Sequence, residues 1–324
     1  MAERPQINPH FDEGLIVWSD DYSGRYAPPP GDYGDQFDDK WRLVLEDSSG
    51  EQGFNQGAGV RLDDSSIDGL VYEWTGNFPG SLPSPHMLAS DRLDKRVDPR
   101  LIEGQRCIDI GCGMGRWTRV MQRLGAASVL SVDAAAHALE SVRCFNSNVL
   151  QADVIRLAEA HPDLIGRFEF ANLWGVAQHT HDPRAAFMSS AATVAPGGAF
   201  YLMVYSPEGI HNSPRVQLFR QVFQELGSAE ERIGFVRAIH QRRWHRRLPL
   251  SMNTKNMLRN LLHRPRWGLL VGLLDMMMPW YNWTVPLDVA TGWMRDAGFE
   301  TVTVLNARSP NRVAHHVLGA DKTS

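Results

Sequence analysis

The feature that most constrains this chain is a short apolar run that leads through three alternate glycines into a helical pattern, Arg106–Thr118. The run contains one acid, Asp109, and the glycines are Gly111, Gly113 and Gly115. A glycine-rich turn between a strand and a helix brings backbone N–H groups and a helix N-terminus close to a bound ligand. Glycine is required where the backbone takes a positive φ or a ligand approaches it closely. The stretch therefore predicts a strand–turn–helix unit that binds a small ligand.

Segments of strand length alternate with segments of helical periodicity along much of the chain. The predicted strands are Cys107–Ile110, Ser128–Val132, Val149–Ala152, Phe168–Leu173, Ala199–Tyr205, Phe299–Leu305 and Val313–Leu318. The predicted helices and the turn before the fifth strand are Arg116–Leu124, Ala135–Phe145, Pro183–Val194, Thr284–Ala297 and Pro196–Gly198. Such alternation through short loops is typical of a parallel sheet covered on both faces. The last two strands are joined by too few residues for a crossover helix, which predicts a final antiparallel hairpin in an α/β fold.

Four regions follow from these patterns. They are an N-terminal extension or cap, a ligand-binding core, a helical insert and the C-terminal part of the core: residues 1–100, 101–205, 206–284 and 285–324. The N-terminal region is acidic, rich in Gly, Pro and Tyr, and contains two helix-like segments, Phe37–Leu45 and Met87–Val97.

The insert has a helical pattern of its own. One helix is predicted from Ser213, and Ser228 with Glu231 forms a capping box that opens the next. Two further helices are predicted at Asn253–His263 and Trp267–Met278. Between them and the capping box lies a basic cluster, Arg242, Arg243, Arg246 and Arg247. This cluster is either a solvated face or a surface that meets an anionic substrate, a carrier or a membrane.

The composition argues against several classes of protein. The net charge of −4 gives no indication of nucleic-acid binding. The 3 cysteines have neither zinc-ligand spacing nor the even number of a disulfide framework, which favours a cytoplasmic location. The N-terminus lacks the pattern of a signal peptide. The longest apolar run, Trp267–Trp283, is too short to span a bilayer and contains Asp275, so a soluble protein is expected.

The spacing of the glycines restricts the ligand. A dinucleotide-binding turn reads G-x-G-x-x-G, with an apolar residue two places before the first glycine. Here the pattern is G-x-G-x-G, and Asp109 occupies that place. A carboxylate there repels a pyrophosphate and suits a ligand with a positive end, such as an α-amino group. No Gly-Lys-Ser/Thr follows, which excludes a Walker-type phosphate loop.

Two more carboxylates follow the second and third predicted strands. Asp133 can accept hydrogen bonds from both hydroxyls of a ribose. Asp153 can accept one from an exocyclic amine such as that of adenine. Because the carboxyl ends of parallel strands meet at one edge of a sheet, these two acids and Asp109 are expected to share a site. Together they describe a site for an adenosine that carries an amino-acid tail.

With these residues identified, the sequence resembles class I S-adenosylmethionine-dependent methyltransferases, in particular the small-molecule subset related to the ubiquinone-biosynthesis type. The matching segments are Ile108–Gly115, Val132–Asp133, Gln151–Val154, Phe168–Pro183, Ala195–Gly198 and Trp293–Glu300. The resemblance implies a Rossmann-like seven-stranded sheet and S-adenosyl-L-methionine as the cofactor. It also implies a set of cofactor-binding residues, namely Asp109, Gly111, Gly113, Gly115, Asp133, Ala134, Asp153, Val154, Asn172 and Trp174.

The sequence departs from its apparent relatives at informative positions. Asn172 stands where many have an acid, and Gln178 where many have a first histidine. The Asn/Asp-Pro-Pro-Tyr/Phe signature of enzymes that methylate adenine or glutamine amides is absent, which disfavours DNA methylation and leaves no nucleic-acid partner expected. The acid pair that holds a metal in catechol-type enzymes has no counterpart, so no metal is expected.

S-adenosylmethionine carries an activated methyl group, and direct displacement makes alignment the protein's main task. A hydroxyl or amine acceptor benefits from a general base, for which His179, just beyond the fourth strand, is the first candidate and His181 the second. The alternative interpretation is that His179 only packs its loop. The residues predicted to cover or orient the ligands are Tyr72, Trp74, Arg92 and Tyr205.

The leading hypothesis is an enzyme that methylates an oxygen or nitrogen of a small molecule in a biosynthetic pathway. One alternative is a lipid-linked or carrier-linked substrate, which would bring the basic insert to a membrane surface. Another is a non-catalytic partner subunit that binds the same cofactor. The substrate, the methylated atom and the oligomeric state are left open by the sequence.

Overall fold

The computed structural model describes residues 16–29, 31–46, 63–76, 93–240, 270–309 and 313–323. Its strands, in chain order, are β1 Arg106–Ile110, β2 Ser128–Asp133, β3 Val149–Gln151, β4 Phe168–Trp174, β5 Val194–Tyr205, β6 Phe299–Val304 and β7 Ala314–Lys322. Its α-helices are α1 Tyr33–Glu46, α2 Asp64–Thr75, α3 Arg116–Arg123, α4 Ala136–Arg143, α5 Leu157–Ala160, α6 Pro183–Ala191, α7 Pro214–Glu225, α8 Ala229–His240, α9 Leu270–Met277 and α10 Leu287–Asp296.

The strands form a seven-stranded sheet in the order β3-β2-β1-β4-β5-β7-β6. Strands β1 to β5 are parallel, and β7 runs antiparallel to both β5 and β6. The predicted seven-stranded, mostly parallel sheet with a final antiparallel hairpin is confirmed. Strand β1 lies between β2 and β4, so the chain adds β2 and β3 on one side of β1 and β4 and β5 on the other. In open α/β sheets, such a switch point forms a crevice at the carboxyl ends of the strands.

Both faces of the sheet are buried, because alternate residues of each strand point to opposite sides. Cys107 packs with α2 and α3 on one face, whereas Ile108 packs with α6 and α10 on the other. Helix α4 adds a small cluster against the turn after β1. The crevice at the strand ends is thus formed by a rigid, fully packed sheet.

Part of the predicted turn before the fifth strand is a bulge within that strand. Pro196–Gly198 lies inside β5, and Gly197 has a φ of +77°. Phe168 pairs with Val194 but Phe170 pairs with Ala199, so β5 carries extra residues opposite β4. The helix before it ends at Ala191 rather than Val194, because the chain must turn before it enters the longer strand. A bulge absorbs glycine and proline without ending the pairing.

The N-terminal region is more helical than its sequence indicated. The helix predicted at Phe37–Leu45 is confirmed as part of α1. Helix α2 was not predicted, although its N-cap follows the usual rule: the Asp63 carboxylate accepts the Ser66 N–H at 2.8 Å. Of the segment Met87–Val97, only residues 93–97 are described, and they are not helical.

The segment before α1 packs on the core. Trp18 is buried 5.0 Å from the Trp283 ring, and the Asp20 carboxylate accepts the indole N–H of Trp293 at 2.7 Å. The backbone N–H of Trp18 donates to the Thr284 carbonyl at 2.8 Å. The N-terminal extension is therefore tied to the C-terminal part of the core.

The insert forms a separate helical cluster beside the sheet. The predicted capping box is confirmed, since the Glu231 N–H donates to Ser228 Oγ at 3.2 Å and the Ser228 N–H donates to Glu231 Oε2 at 3.1 Å. Helices α7, α8 and α9 share a core of their own, on which Trp41 and Met114 also pack. The predicted helix Asn253–His263 and the four arginines before it lie outside the described residues. Among the helices that are described, none has the length and apolar character to cross a membrane.

Candidate active site

A cavity of about 1090 Å³, including its mouth, lies at the carboxyl ends of strands β1 to β5. The strand ends and the turns after them form its floor, and α1, α3 and α9 form its walls. Its lining combines aromatic rings, carboxylates and exposed backbone, which makes it the candidate ligand site of the described residues.

The first two glycines of the turn after β1 line the cavity and cannot carry a side chain. Gly111 has a φ of +67°, and a Cβ there would lie 2.2 Å from Val176 Cγ2. Gly113 has a φ of +52°, and its Cβ would lie 2.6 Å from Trp41 Cζ2. Both glycines allow the backbone to approach its neighbours closely. The third glycine, Gly115, is not on the cavity wall: it is the N-cap of α3 and packs against α4 and Phe145.

Asp133 lies at the end of β2 with its carboxylate fixed by the backbone. Oδ2 accepts the Gly113 N–H at 2.8 Å, and Oδ1 accepts the Ala135 N–H at 2.9 Å. Burial raises the pKa of this carboxyl, and the two N–H groups and the positive charge of Lys40 oppose the shift. Each oxygen keeps a further lone pair, so the carboxylate can accept from two adjacent hydroxyls. Asp133 thus fits the ribose of the cofactor.

Asp153, Ala134 and Val154 complete this end of the cavity. One oxygen of the Asp153 carboxylate accepts the Ile155 N–H at 3.0 Å. Burial raises the pKa of Asp153. The arrangement leaves its second oxygen for an amine donor, which fits an adenine ring between Asp153 and the apolar wall.

Asp109 and Asn172 are both buried, and neither lines the cavity. The Asp109 carboxylate accepts Asn172 Nδ2–H at 2.8 Å and Thr118 Oγ1–H at 2.7 Å. Burial raises the pKa of Asp109. In this structure its oxygens tie β1 to β4 and α3 beneath the glycine turn, and contact of Asp109 with the positive end of a ligand stays a prediction.

His179 is buried on the cavity wall in a short 3-10 helix after β4. Its Nδ1 lies 3.2 Å from the Tyr281 carbonyl oxygen, which can only accept, so the proton is on Nδ1. Nε2 therefore carries a free lone pair. Burial lowers the pKa of His179 to about 4, while the negative charge of Asp275 opposes the shift. The imidazole is neutral at physiological pH and can accept a proton.

His181 supports the cavity instead of lining it. Its ring stacks on that of Tyr33, with centroids 5.8 Å apart, and its Nδ1 is hydrogen-bonded to the Tyr33 hydroxyl. The same hydroxyl accepts the His181 N–H at 2.6 Å. Burial lowers the pKa of His181 and raises that of Tyr33. The pair fixes the start of α1 on the cavity, and Tyr33 lies on its wall.

Of the three described residues that were predicted to cover or orient ligands, Tyr205 alone lines the cavity. Its ring stacks on that of His211 with centroids 3.5 Å apart and meets His179 edge-on at 5.3 Å. Trp74 is fully buried in the core and stacks on Trp117 at 4.4 Å. Tyr72, which is also on α2, lies beside Arg96 and is not on the cavity wall. Helix α2 packs on the sheet face, so neither residue covers this cavity in the structure, and their role toward a ligand stays a prediction. Arg92 lies outside the described residues.

Several wall residues were not predicted. They are Tyr33, Phe37, Lys40 and Trp41 on α1, Arg116 on α3 and Asp275 on α9. The Lys40 ammonium lies 3.9 Å from the Trp41 ring centroid and forms an ion pair with Asp275. The helical spacing of Phe37 and Trp41 indicated a buried face, but nothing local identified its partner. Arg116 directly follows the glycine turn, which was a usable signal.

No group of three or more His, Cys, Asp or Glu side chains among the described residues is placed to hold a metal ion. The donor set of the cavity instead consists of separate carboxylates, backbone N–H groups and aromatic rings. This chemistry fits an adenosine-containing cofactor.

Comparisons with known proteins agree with this fit. The family model described as a methyltransferase domain matches residues 86–304. The ubiquinone biosynthesis O-methyltransferase of Neisseria meningitidis serogroup C (strain 053442) is 29% identical over 175 residues, which cover 46% of this chain and 71% of that protein. The protein of the same name from Xanthomonas campestris pv. campestris (strain B100) is 31% identical over 123 residues, which cover 36% of this chain and 50% of that protein.

Among solved structures, a SAM-dependent methyltransferase of Thermotoga maritima, described as a possible histamine N-methyltransferase, aligns with 67% of this chain and 82% of its own. The TM-score is 0.37 and the sequence identity is 14%.

Proposed function

The chain belongs to the methyltransferase-domain family, and we propose that this S-adenosylmethionine-dependent methyltransferase acts on a hydroxyl or amine of a small molecule held in the cavity. The observation that carries the proposal is His179, a neutral imidazole with its Nε2 lone pair free on the cavity wall. The names of the two O-methyltransferases described above favour a hydroxyl acceptor and a biosynthetic role.

The cofactor end of the cavity is assigned to the carboxylates that follow β2 and β3 and to the glycine turn. Asp133 would hold the ribose hydroxyls, Asp153 the adenine amine, and Gly111 and Gly113 would let the cofactor lie against the backbone. When bound, S-adenosylmethionine supplies a methyl group on a positively charged sulfur, which a lone pair can displace directly. The protein contributes alignment and the exclusion of water.

His179 would act as the general base at the other end. The proton of the acceptor hydroxyl or amine passes to Nε2 as the acceptor's lone pair forms its bond to the methyl carbon. The Tyr281 carbonyl holds the Nδ1 proton and so keeps the ring in the accepting tautomer. The negative charge of Asp275 favours the resulting imidazolium, against burial and the positive charges of Lys40 and Arg220. The proton is then released to water when the product leaves.

The walls of the cavity favour a small acceptor over a polymer. Helix α1 covers one side, and its Lys40 is ion-paired to Asp275 of the insert on the other. Phe37, Trp41 and Trp174 supply aromatic surface. Such an enclosed aromatic pocket suits a compact, partly apolar molecule.

The proposal is tested with His179→Gln, whose amide can still donate to the Tyr281 carbonyl. We expect kcat toward a phenol or amine acceptor to fall by roughly 10²–10⁴, the usual contribution of a general base. The affinity for S-adenosylhomocysteine, measured by calorimetry, should change less than about twofold, because the histidine is outside the adenosine site.

The matched control is His161→Gln, a histidine outside the cavity wall, which should keep wild-type kinetics. Turnover is followed by the release of S-adenosylhomocysteine with a panel of small phenols and amines. Retention of more than about a tenth of kcat in His179→Gln would contradict the base assignment. Cofactor binding without turnover of any small acceptor would instead favour a non-catalytic or carrier-dependent protein.

A further inference from the structure

Arg116 is a cation on the cavity wall that lacks a hydrogen-bond partner in the described part of the chain. It is the first residue of α3, directly after the glycine turn. Its guanidinium carbon lies 4.1 Å from the ring centroid of Trp174 and 5.6 Å from that of Trp117. These are cation–π distances, and such contacts leave the N–H groups of a guanidinium available to donate hydrogen bonds.

Arg116 is partly buried and carries its charge without a hydrogen-bonded counter-ion among the described residues. Burial lowers the pKa of the guanidinium, and the charges of Asp275, Glu73 and Asp109 oppose the shift from a distance. Asp275 is ion-paired to Lys40, Asp109 accepts from Asn172 and Thr118, and Glu73 acts on Arg116 through its charge without a hydrogen bond to it. A partly desolvated cation gains from a hydrogen-bonded counter-ion. The cavity is where such a counter-ion can enter.

Arg116 belongs to the acceptor half of the cavity. Its neighbours include the neutral Tyr205 hydroxyl and the Asp275 carboxylate, and Asp275 is also the principal charged neighbour of His179. The Tyr205 ring meets the His179 ring edge-on at 5.3 Å. We therefore assign the guanidinium, the general base and this ring to one part of the cavity.

We propose that Arg116 binds a carboxylate on the methyl acceptor, so that the substrate is an aromatic acid whose ring lies among the wall aromatics and whose hydroxyl or amine faces His179. This inference rests on the proposed function. Arginine is suited to this task because its planar fork pairs with both oxygens of a carboxylate. A carboxylate bound there gives the buried guanidinium its missing acceptors and fixes the orientation of the ring.

The test compares an acid with its amide on the cofactor-product complex. The probes are 3,4-dihydroxybenzoate and 3,4-dihydroxybenzamide, which carry the same hydroxyls but differ in charge. Each is titrated by calorimetry into the protein saturated with S-adenosylhomocysteine, with wild type, Arg116→Gln and the control Arg119→Gln. Arg119 lies on the same helix but stacks on Phe145, outside the cavity wall.

In wild type and Arg119→Gln, the acid should bind about tenfold to a hundredfold more tightly than the amide, as expected for a charge-assisted bidentate contact. In Arg116→Gln, that preference should disappear while the affinity for S-adenosylhomocysteine stays within about twofold. Equal binding of the two probes by wild type, including binding of neither, overturns the proposal.

A second result would also overturn it. If Arg116→Gln weakens the binding of S-adenosylhomocysteine by about tenfold or more, the guanidinium binds the carboxylate of the cofactor and not that of the acceptor. Failure of this inference is distinguishable from failure of the proposed function. Wild type could show no preference for the acid over the amide, while His179→Gln still abolishes turnover of neutral phenols. That pair of results would leave the methyl-transfer proposal intact.

Discussion

Gly113→Ala should weaken the binding of the cofactor, because the added methyl group displaces helix α1, which covers the cavity. The added Cβ would lie 2.6 Å from Trp41 Cζ2 and 3.1 Å from Cη2, well inside the 3.5–4.0 Å of an ordinary carbon contact. The Trp41 ring cannot move freely, because the Lys40 ammonium lies over it and is ion-paired to Asp275. The relief must therefore come from a shift of α1 away from the glycine turn.

Two costs are separable in this variant. A φ of +52° costs a non-glycine residue about 1–2 kcal/mol in the free energy of unfolding, whatever its surroundings. The contact with Trp41 adds a cost that appears in ligand affinity, since α1 closes the cavity. We expect the Kd of S-adenosylhomocysteine to rise at least about tenfold, or ~1.4 kcal/mol.

The control for the backbone cost is Gly166→Ala. Gly166 has a φ of +64°, and its Cβ would meet nothing within 4 Å. The Gly166→Ala variant should lose a similar free energy of unfolding, measured by urea titration. Its Kd for S-adenosylhomocysteine, measured by calorimetry, should be unchanged. In the double variant Gly113→Ala/Trp41→Ala, the contact is absent, so the alanine at 113 should change the Kd by less than about twofold relative to Trp41→Ala alone.

The reasoning is refuted if Gly113→Ala and Gly166→Ala have the same effect on the Kd. It is also refuted if removal of the Trp41 ring leaves the affinity loss at position 113 unchanged. Either outcome would mean that the glycine serves only its own backbone conformation, and that α1 does not close on this turn.

Three further predictions concern buried groups. Asn172→Asp would place a second carboxylate against Asp109 at the 2.8 Å hydrogen bond and should cost roughly 3 kcal/mol of unfolding free energy at pH 7, less at acidic pH; a loss independent of pH would contradict this. Burial lowers the pKa of His179 to about 4 and that of His211 to about 3, so the unfolded chain binds more protons below pH ~6.5. The stability they contribute should be present above that pH and fall as the pH drops toward 4, by up to about 1.4 kcal/mol per pH unit for each histidine, and His211→Phe should reduce the slope in urea titrations. A thiol reagent should modify Cys144, which is exposed, in the native protein and the other two cysteines only after unfolding, with Cys144→Ser as the control; rapid native reaction of more than one thiol would show that the core opens.

The sheet and the adenosine end of the site were predictable because their signals are local. Strand and helix periods, the positive-φ glycines and the acids that follow β2 and β3 are set by residues close together in the chain. Asp133 and Asp153 lie where parallel strands must end, so their shared edge followed from the topology. His179 followed in the same way from its place after β4.

Local patterns were insufficient where the outcome depends on a distant partner. Asp109 has the same chemistry as Asp133, yet one is enclosed by Asn172 and Thr118 and the other faces the cavity. The sequence predicted that Asp109 shares the ligand site, but the groups that surround it depended on β4 and α3. Trp74 was likewise predicted to cover a ligand, but in the structure helix α2 packs on a face of the sheet and the Trp74 ring is buried there.

The sequence by itself determined the order of the seven strands and the cofactor, because each of these depends on short-range patterns and backbone geometry. Only the tertiary structure decided which side chains form the walls of the cavity. Lys40 and Asp275 are 235 positions apart, and together with Arg116 they come from three separate regions of the chain. Their meeting follows from the burial of apolar helix faces on one another, a long-range packing outcome that no local pattern specifies.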